Sequence, residues 1–173
     1  TGVLLPGKCV THEVDVVAEN AAEMILVECK YHAEPGAVSD VKIPLYIHSR
    51  FRDLAENEGF QKELAGRKLG FRIATNTRFS DDAMTYGRCA GLLCIAWDYP
   101  LGSSLRELID ETGLHPVTCL STLTRQEKSG LLAKGIVLSR DLLEKRSVLG
   151  KIGISPNREK AILKEVGALC GGN

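Results

Sequence analysis

The sequence has no hydrophobic run long enough to cross a membrane. Its longest stretches without a charged residue fall far short of the ~20 apolar residues that a transmembrane helix needs. This pattern excludes an integral helical membrane protein. The chain also begins at Thr1 without a basic segment followed by an apolar one. We therefore expect no signal peptide and interpret the chain as an excised or trimmed fragment.

The sequence also lacks the cysteine spacing of a structural zinc site. It has six cysteines but no Cys-x-x-Cys pair, and its four histidines are scattered. Cys29 and Cys94 lie inside apolar runs, where cysteine behaves as a small hydrophobic residue. We expect free thiols and a location in a reducing cytoplasm, away from membranes.

Net charge is absent as well, because 22 Lys and Arg residues balance 22 Asp and Glu residues. This balance excludes a uniformly basic nucleic-acid-binding surface. The charge is nevertheless uneven: residues 1–41 carry 2 basic and 7 acidic groups, whereas residues 121–173 carry 10 and 5. The first segment is suited to a cation and the second to an anionic partner.

The hydrophobic pattern predicts an α/β protein. Residues 14–18 and 24–30 form a predicted β-hairpin. Ser39 and Asp40 precede a predicted helix with an apolar stripe of Ile43, Ile47, Phe51 and Leu54. Residues 69–97 form a predicted strand–helix–strand crossover, and short helical segments follow Ser121. We predict a core over residues 1–118, with a mixed central sheet flanked by helices, and a small helical module over residues 119–173.

The predicted hairpin brings charged side chains together. If the turn centres on Ala21 and Ala22, Asp15 lies opposite Glu28, with Cβ atoms about 5 Å apart, and Lys30 points to the same face. Two facing carboxylates repel each other unless a cation lies between them, and their oxygens suit Mg²⁺ or Mn²⁺. An adjacent lysine can orient a water molecule or, as the neutral amine, deprotonate it. The alternative is a solvated face with exposed ion pairs.

These residues also carry a family resemblance. Asp15 followed by Glu28-Cys29-Lys30 resembles the D…(D/E)-x-K signature of the PD-(D/E)XK nuclease superfamily. The segments around both motifs, residues 12–18 and 26–32, resemble the Mrr-like restriction endonuclease branch, as does the later segment 73–83. The resemblance implies a restriction-endonuclease-like core and a metal-dependent endodeoxyribonuclease. Asp15 and Glu28 would hold Mg²⁺ or Mn²⁺, and Lys30 would activate the attacking water.

The resemblance has two departures and one extension. Val14 stands where the superfamily has proline, and the first helix of the nuclease core is truncated or lies upstream. The chain further resembles the nuclease segment that follows an ATP-cone domain in some bacterial proteins, which implies a possible upstream ATP-cone domain. Residues 121–173 resemble a helix-hairpin-helix or SAM-like module.

Other residues are candidates for phosphate or DNA binding. Ser39 and Lys42 lie where the predicted helix begins, and a helix N-terminus favours anions. Asn76 and Thr77 follow a predicted strand, and their alternative role is turn formation. Arg50 is expected on a solvated helical face or in contact with backbone phosphates.

The expected partner is DNA, and the expected assembly is a homodimer, because one metal centre cuts one strand and a double-strand cut needs two. The alternative function is a catalytically silent nucleic-acid-binding module. A further alternative is a regulatory or oligomerisation module attached to an upstream nucleotide-sensing domain.

Overall fold

Strands and helices alternate along most of the first 106 residues. A computed structural model of the protein describes residues 1–171. The strands are β1 (Val3–Pro6), β2 (Thr11–Val14), β3 (Val16–Glu19), β4 (Glu23–Lys30), β5 (Val38–Ser39), β6 (Lys68–Thr75), β7 (Arg78–Phe79) and β8 (Leu92–Ile95). The α-helices are α1 (Lys42–Ala55), α2 (Glu58–Leu64), α3 (Asp81–Cys89), α4 (Leu105–Thr112), α5 (Arg125–Leu132), α6 (Asp141–Glu144), α7 (Ser147–Lys151) and α8 (Pro156–Cys170).

A four-stranded mixed sheet in the order β3-β4-β6-β8 lies at the centre of this region. β3 is antiparallel to β4, whereas β4, β6 and β8 are parallel to one another. The parallel pairing of β6 and β8 around α3 confirms the predicted crossover. The chain is therefore an α/β protein with a mixed sheet flanked by helices, as predicted.

Helix α1 covers the sheet with the apolar stripe seen in the sequence. Ile47, Phe51 and Leu54 are fully buried, and the Phe51 ring stacks on Phe71 of β6 with centroids 4.8 Å apart. Burial of one such side chain contributes about 1.5–3 kcal/mol. The Asp40 carboxylate accepts a hydrogen bond from the Lys42 N–H at 3.0 Å, close to the predicted helix start.

Two strand pairs were not predicted. β1 pairs with β2 in an antiparallel hairpin, so residues 3–6 form a strand where the remnant of a first helix was one expectation. β5 pairs with β7 in a two-residue parallel ladder, which places Ser39 in a strand and not at the start of α1. β5 and β7 have two residues each, too few to show the periodicity of a strand, and they pair although α1, α2 and β6 lie between them in the sequence.

A second compact unit begins at Glu107, earlier than the predicted boundary between residues 118 and 119. Val117 is fully buried in the hydrophobic core of this unit, and its N–H donates to the Val137 carbonyl at 2.8 Å. A capping box begins α5: the Thr124 hydroxyl accepts the Glu127 N–H, and the Glu127 carboxylate accepts the Thr124 N–H. The end of the predicted 119–173 module, residues 172–173, lies outside the described residues.

The helices of the chain are short. The longest, α8 and α1, have 15 and 14 residues, and both carry charged side chains. Within residues 1–171, no helix combines the length and the apolar character needed to span a lipid bilayer.

Candidate metal and hydrolytic site

The register of β3 and β4 brings the predicted site residues to the same place. Val16 pairs with Val27 and Val17 with Leu26, which confirms the predicted register. Continuing it by one residue places Asp15 opposite Glu28. Asp15 itself lies in a bend between β2 and β3, and its Oδ2 accepts the Cys29 N–H at 2.7 Å. This hydrogen bond fixes the Asp15 carboxylate on β4.

Glu28 lies on the core face of β4, not on an open sheet surface. Alternate residues of this strand, Met24, Leu26 and Glu28, are buried, and Glu28 is only 2% exposed. Its Oε1 forms an ion pair with Arg50 of α1. Its Oε2 is buried and has no hydrogen-bond partner among residues 1–171. A buried charged oxygen without a partner is costly, so this position is suited to a further cation or donor.

Arg50 is the site residue whose position was predicted wrongly. The structure buries its side chain to 14% exposure against Glu28, whereas a solvated helical face was expected. Its guanidinium also donates to the Glu13 carbonyl and lies 5.4 Å from the centroid of the Tyr46 ring. The sequence does indicate this position, because Arg50 follows Ile47 of the apolar stripe by three residues and so lies on the buried face of α1.

Lys30 ends β4 and points to the same face as Glu28, because side chains two apart on a strand share a face. It is half-buried, and its ammonium makes no ion pair or hydrogen bond within residues 1–171. Partial desolvation and the Asp15 carboxylate raise the pKa of the neighbouring Cys29 thiol, and Lys30 only partly offsets this.

The donor set fits a hard divalent cation. Among residues 1–171, no group of three or more His, Cys, Asp or Glu side chains is placed to hold a metal ion. Mg²⁺, however, is commonly bound by one or two carboxylates, with water and substrate phosphate oxygens filling the remaining positions. Asp15 and Glu28 supply two carboxylates, and the unpartnered Oε2 of Glu28 is the oxygen best suited to coordination.

The four further candidates for phosphate binding lie in different environments. Ser39 is 2% exposed, and its hydroxyl lies 3.0 Å from His32 Nε2, so it is turned inward. The Lys42 side chain is 86% exposed and lies 4.0 Å from the Asp40 carboxylate. It is therefore free to meet a phosphate.

Asn76 and Thr77 hold loops together in the structure. The Asn76 side chain accepts from the His32 N–H and donates to the His32 carbonyl, both at 2.8 Å. The Thr77 hydroxyl lies 3.2 Å from that of Thr75. These contacts support the turn-forming role, and DNA contact by either residue stays a prediction.

A second charged cluster, which the sequence did not predict, anchors the β1–β2 hairpin to α1. His12 Nε2 lies 2.8 Å from Asp53 Oδ2, and the Asp53 carboxylate also accepts the N–H groups of Cys9 and Val10. Partial desolvation raises the pKa of Asp53, but the hydrogen bonds from His12, Cys9 and Val10 outweigh it and lower that pKa to about 2. Asp53 therefore stays ionised and holds the loop at residues 7–10.

Comparison with known proteins gives three matches. Residues 115–170 match the family model described as AF1548-like, C-terminal. An uncharacterized protein of Archaeoglobus fulgidus is 32% identical over 172 residues, covering 99% of this chain and 92% of the relative. The crystal structure of the protein of unknown function AF1548 superposes with a TM-score of 0.73 at 32% identity, covering 100% of this chain and 89% of that one.

Proposed function

We propose that this chain, which belongs to the AF1548-like family, is a metal-dependent endodeoxyribonuclease built on a restriction-endonuclease-like core. The observation that carries the proposal is the buried Glu28 carboxylate, with one oxygen unpartnered, on the strand face that it shares with Lys30. Asp15, in the bend between β2 and β3, supplies a second carboxylate, which the Cys29 N–H of β4 holds in place. The D…(D/E)-x-K pattern of the sequence supports the same assignment.

Each residue has a distinct task in this proposal. Asp15 and Glu28 hold Mg²⁺ or Mn²⁺, and the bound ion supplies Lewis-acid stabilisation of the charge that develops on the phosphate. The Cys29 N–H fixes Asp15, and the Arg50 guanidinium fixes Glu28. Lys30 orients the attacking water and offsets phosphate charge. The water oxygen bonds to phosphorus and releases a proton to solvent, one phosphorus–oxygen bond breaks, and the leaving oxygen takes a proton from solvent.

DNA is the proposed partner, and the remaining expectations belong to the same proposal. A homodimer would present two centres, one for each strand. Lys42 is the best placed of the four phosphate-binding candidates because its ammonium reaches solvent. An upstream ATP-cone domain is proposed on the family resemblance of the sequence, and a cytoplasmic location on the expectation of free thiols.

One observation favours a second candidate function, a catalytically silent nucleic-acid-binding or regulatory module. The Arg50 guanidinium neutralises Glu28 without any metal. A fold that had lost catalysis could keep Glu28 as the structural half of this ion pair. Such a protein would bind DNA without cleaving it.

Conversion of supercoiled plasmid to nicked and linear forms distinguishes the two functions. We expect cleavage by the full chain in Mg²⁺ or Mn²⁺ and none in EDTA. Lys30→Ala should lower the cleavage rate by at least about 100-fold, because misplacement of a reacting group by about 1 Å can cost that much. Lys62→Ala, an exposed lysine of α2, is the matched control and should cleave normally.

DNA binding with no metal-dependent cleavage by the wild type would instead favour the silent module. Cleavage retained in full by Lys30→Ala would contradict the assignment of that residue. Circular dichroism of each variant checks that the fold is intact.

A further inference from the structure

A cavity of about 410 Å³ lies at the carboxyl edge of the parallel strands, and its lining does not include Asp15, Glu28 or Lys30 of the proposed metal site. Its walls come from the segments that follow β4, β6 and β8, residues 31–36, 76–78 and 97–98. This edge of an open α/β sheet is where ligands commonly bind. The volume lies within the roughly 300–1,000 Å³ range of small-molecule sites.

Two exposed aromatic rings stand in the walls of this cavity. Tyr31 is 80% exposed, and Trp97, the only tryptophan of the sequence, is 42% exposed. Large aromatic side chains are costly to leave in water, and they bind planar rings well by stacking. These two rings are therefore suited to a flat heteroaromatic ligand.

Hydrogen bonds preorganise the cavity. The Asn76 side chain forms hydrogen bonds with both backbone groups of His32. The backbone N–H of Trp97 donates to the Thr77 carbonyl at 3.0 Å. The segments after the three strands are thereby tied to one another before any ligand arrives. A preformed site loses less conformational entropy when it binds.

The charged groups of the cavity indicate what else the ligand carries. Arg78 is exposed and forms no ion pair within residues 1–171, so it is available to a phosphate. The carboxylate of Glu34 can accept from an amino group on a ring, as acidic side chains do with cytosine. Asp98 also lines the cavity, but it is paired with Arg106 at 3.0 Å. The unpaired arginine disfavours a cationic ligand, which aromatic walls alone would also accept.

We propose that this cavity binds a nucleotide, with its base against Tyr31 and Trp97 and its phosphate at Arg78. The nucleotide is either free or an unpaired residue of a DNA strand. The inference goes beyond the proposed hydrolysis and needs no metal, so the two can fail independently.

Trp97 provides a direct readout, because all tryptophan fluorescence of the chain arises beside the cavity. The full chain is titrated in EDTA with deoxyadenosine monophosphate and, separately, with a short single-stranded oligodeoxyadenylate. We expect saturable quenching, and deoxyribose phosphate, which has no base, should produce none. Quenching by the mononucleotide shows that a free nucleotide suffices, whereas quenching by the oligonucleotide alone identifies a strand nucleotide. Either result supports the proposal.

The variants test the residues. Tyr31→Ala and Arg78→Gln should each weaken binding by about tenfold, in the range for removal of one stacking or charged interaction. Arg88→Gln, an exposed arginine in the last turn of α3, is the matched control and should bind as the wild type does. No saturable quenching by either nucleotide would overturn the proposal. The same nucleotide affinity in Tyr31→Ala, Arg78→Gln and the Arg88→Gln control would also overturn it. So would quenching of the Trp97 fluorescence when tetramethylammonium is titrated in place of the nucleotides.

Discussion

At the scale of single residues, the Arg50–Glu28 ion pair links α1 to the centre of the sheet. Both side chains are largely buried, at 14% and 3% exposure. Removing one partner of a buried pair leaves an uncompensated charge, which typically costs 3–5 kcal/mol. The Arg50–Glu28 ion pair therefore stabilises the fold and also forms part of the proposed site.

Arg50→Met should lower the free energy of unfolding by about 3 kcal/mol, because Glu28 loses its only ion-pair partner among residues 1–171. The double variant Arg50→Met/Glu28→Gln should recover much of this stability. If Glu28 also holds a divalent cation, Mn²⁺ should raise the melting temperature of Arg50→Met more than that of the wild type. Denaturant titrations and thermal melts measure both effects. Equal Mn²⁺ effects on the two proteins would contradict a metal role for Glu28.

At the scale of elements, the loop before α5 is held by a single carboxylate of α8. Glu165 accepts the Ser121 N–H at 2.6 Å, the Ser121 hydroxyl at 2.7 Å and the Thr122 N–H at 3.0 Å. Desolvation raises the pKa of Glu165, but the hydrogen bonds from Thr122 and Ser121 lower it to about 2. The carboxylate thus acts as a cap for this loop.

This cap predicts a pH dependence. A carboxyl group whose folded pKa is depressed stabilises the fold above its unfolded value of about 4.5, and the stabilisation disappears as pH falls toward 2. Glu165→Gln should cost about 2 kcal/mol at pH 7 and flatten the stability curve between pH 4.5 and 2. Urea titrations across this range measure it. Glu144→Gln, an exposed glutamate of α6, should leave the curve unchanged, and an identical curve for Glu165→Gln would refute the capping role.

Elements with local signals could be predicted from the sequence. The Ser80 hydroxyl caps α3 by accepting the Ala83 N–H, and the Asn20 side chain accepts the N–H groups of Ala22 and Glu23, which sets the turn and the register of β3 and β4. The register in turn places Asp15 opposite Glu28. The pairing of β5 with β7 and the burial of Arg50 depend on contacts distant in sequence, so no local pattern shows them directly.

At the scale of the whole molecule, basic side chains concentrate at the end of the chain. Residues 121–173 carry 10 basic and 5 acidic groups. Lys134, Lys145 and Lys151 line one cavity of the second unit. In the proposed function, the acidic residues 1–41 repel the phosphate backbone of DNA, so we expect basic residues in another part of the protein to hold it.

Replacing Lys134, Lys145 and Lys151 by Gln should weaken DNA binding. The slope of log affinity against log salt should flatten by about 1 for each phosphate that is no longer neutralised. Fluorescence anisotropy at several salt concentrations measures both, with Lys62→Gln/Lys68→Gln of the first unit as control. An unchanged slope would assign these lysines to solvation of the helical unit. Deletion from residue 121 is unsuitable, because Val117 and Leu120 belong to the same core.

The proposed double-strand cut also predicts the oligomeric state. Each chain provides one pair of metal-binding carboxylates in this proposal, so a two-fold dimer is the simplest assembly that cuts both strands. Analytical ultracentrifugation should find a homodimer, either free or on DNA. A monomer under both conditions would limit the enzyme to nicking single strands.

The most direct test of the central claim, that Asp15 and Glu28 hold the divalent cation of a nuclease, is anomalous scattering from crystals grown in Mn²⁺. The account predicts one strong peak about 2 Å from Glu28 Oε2 and from the Asp15 carboxylate. This peak should be absent in Glu28→Gln crystals. Wild-type crystals in Mn²⁺ with no peak at these oxygens, and with Arg50 as the only cation on Glu28, would contradict it.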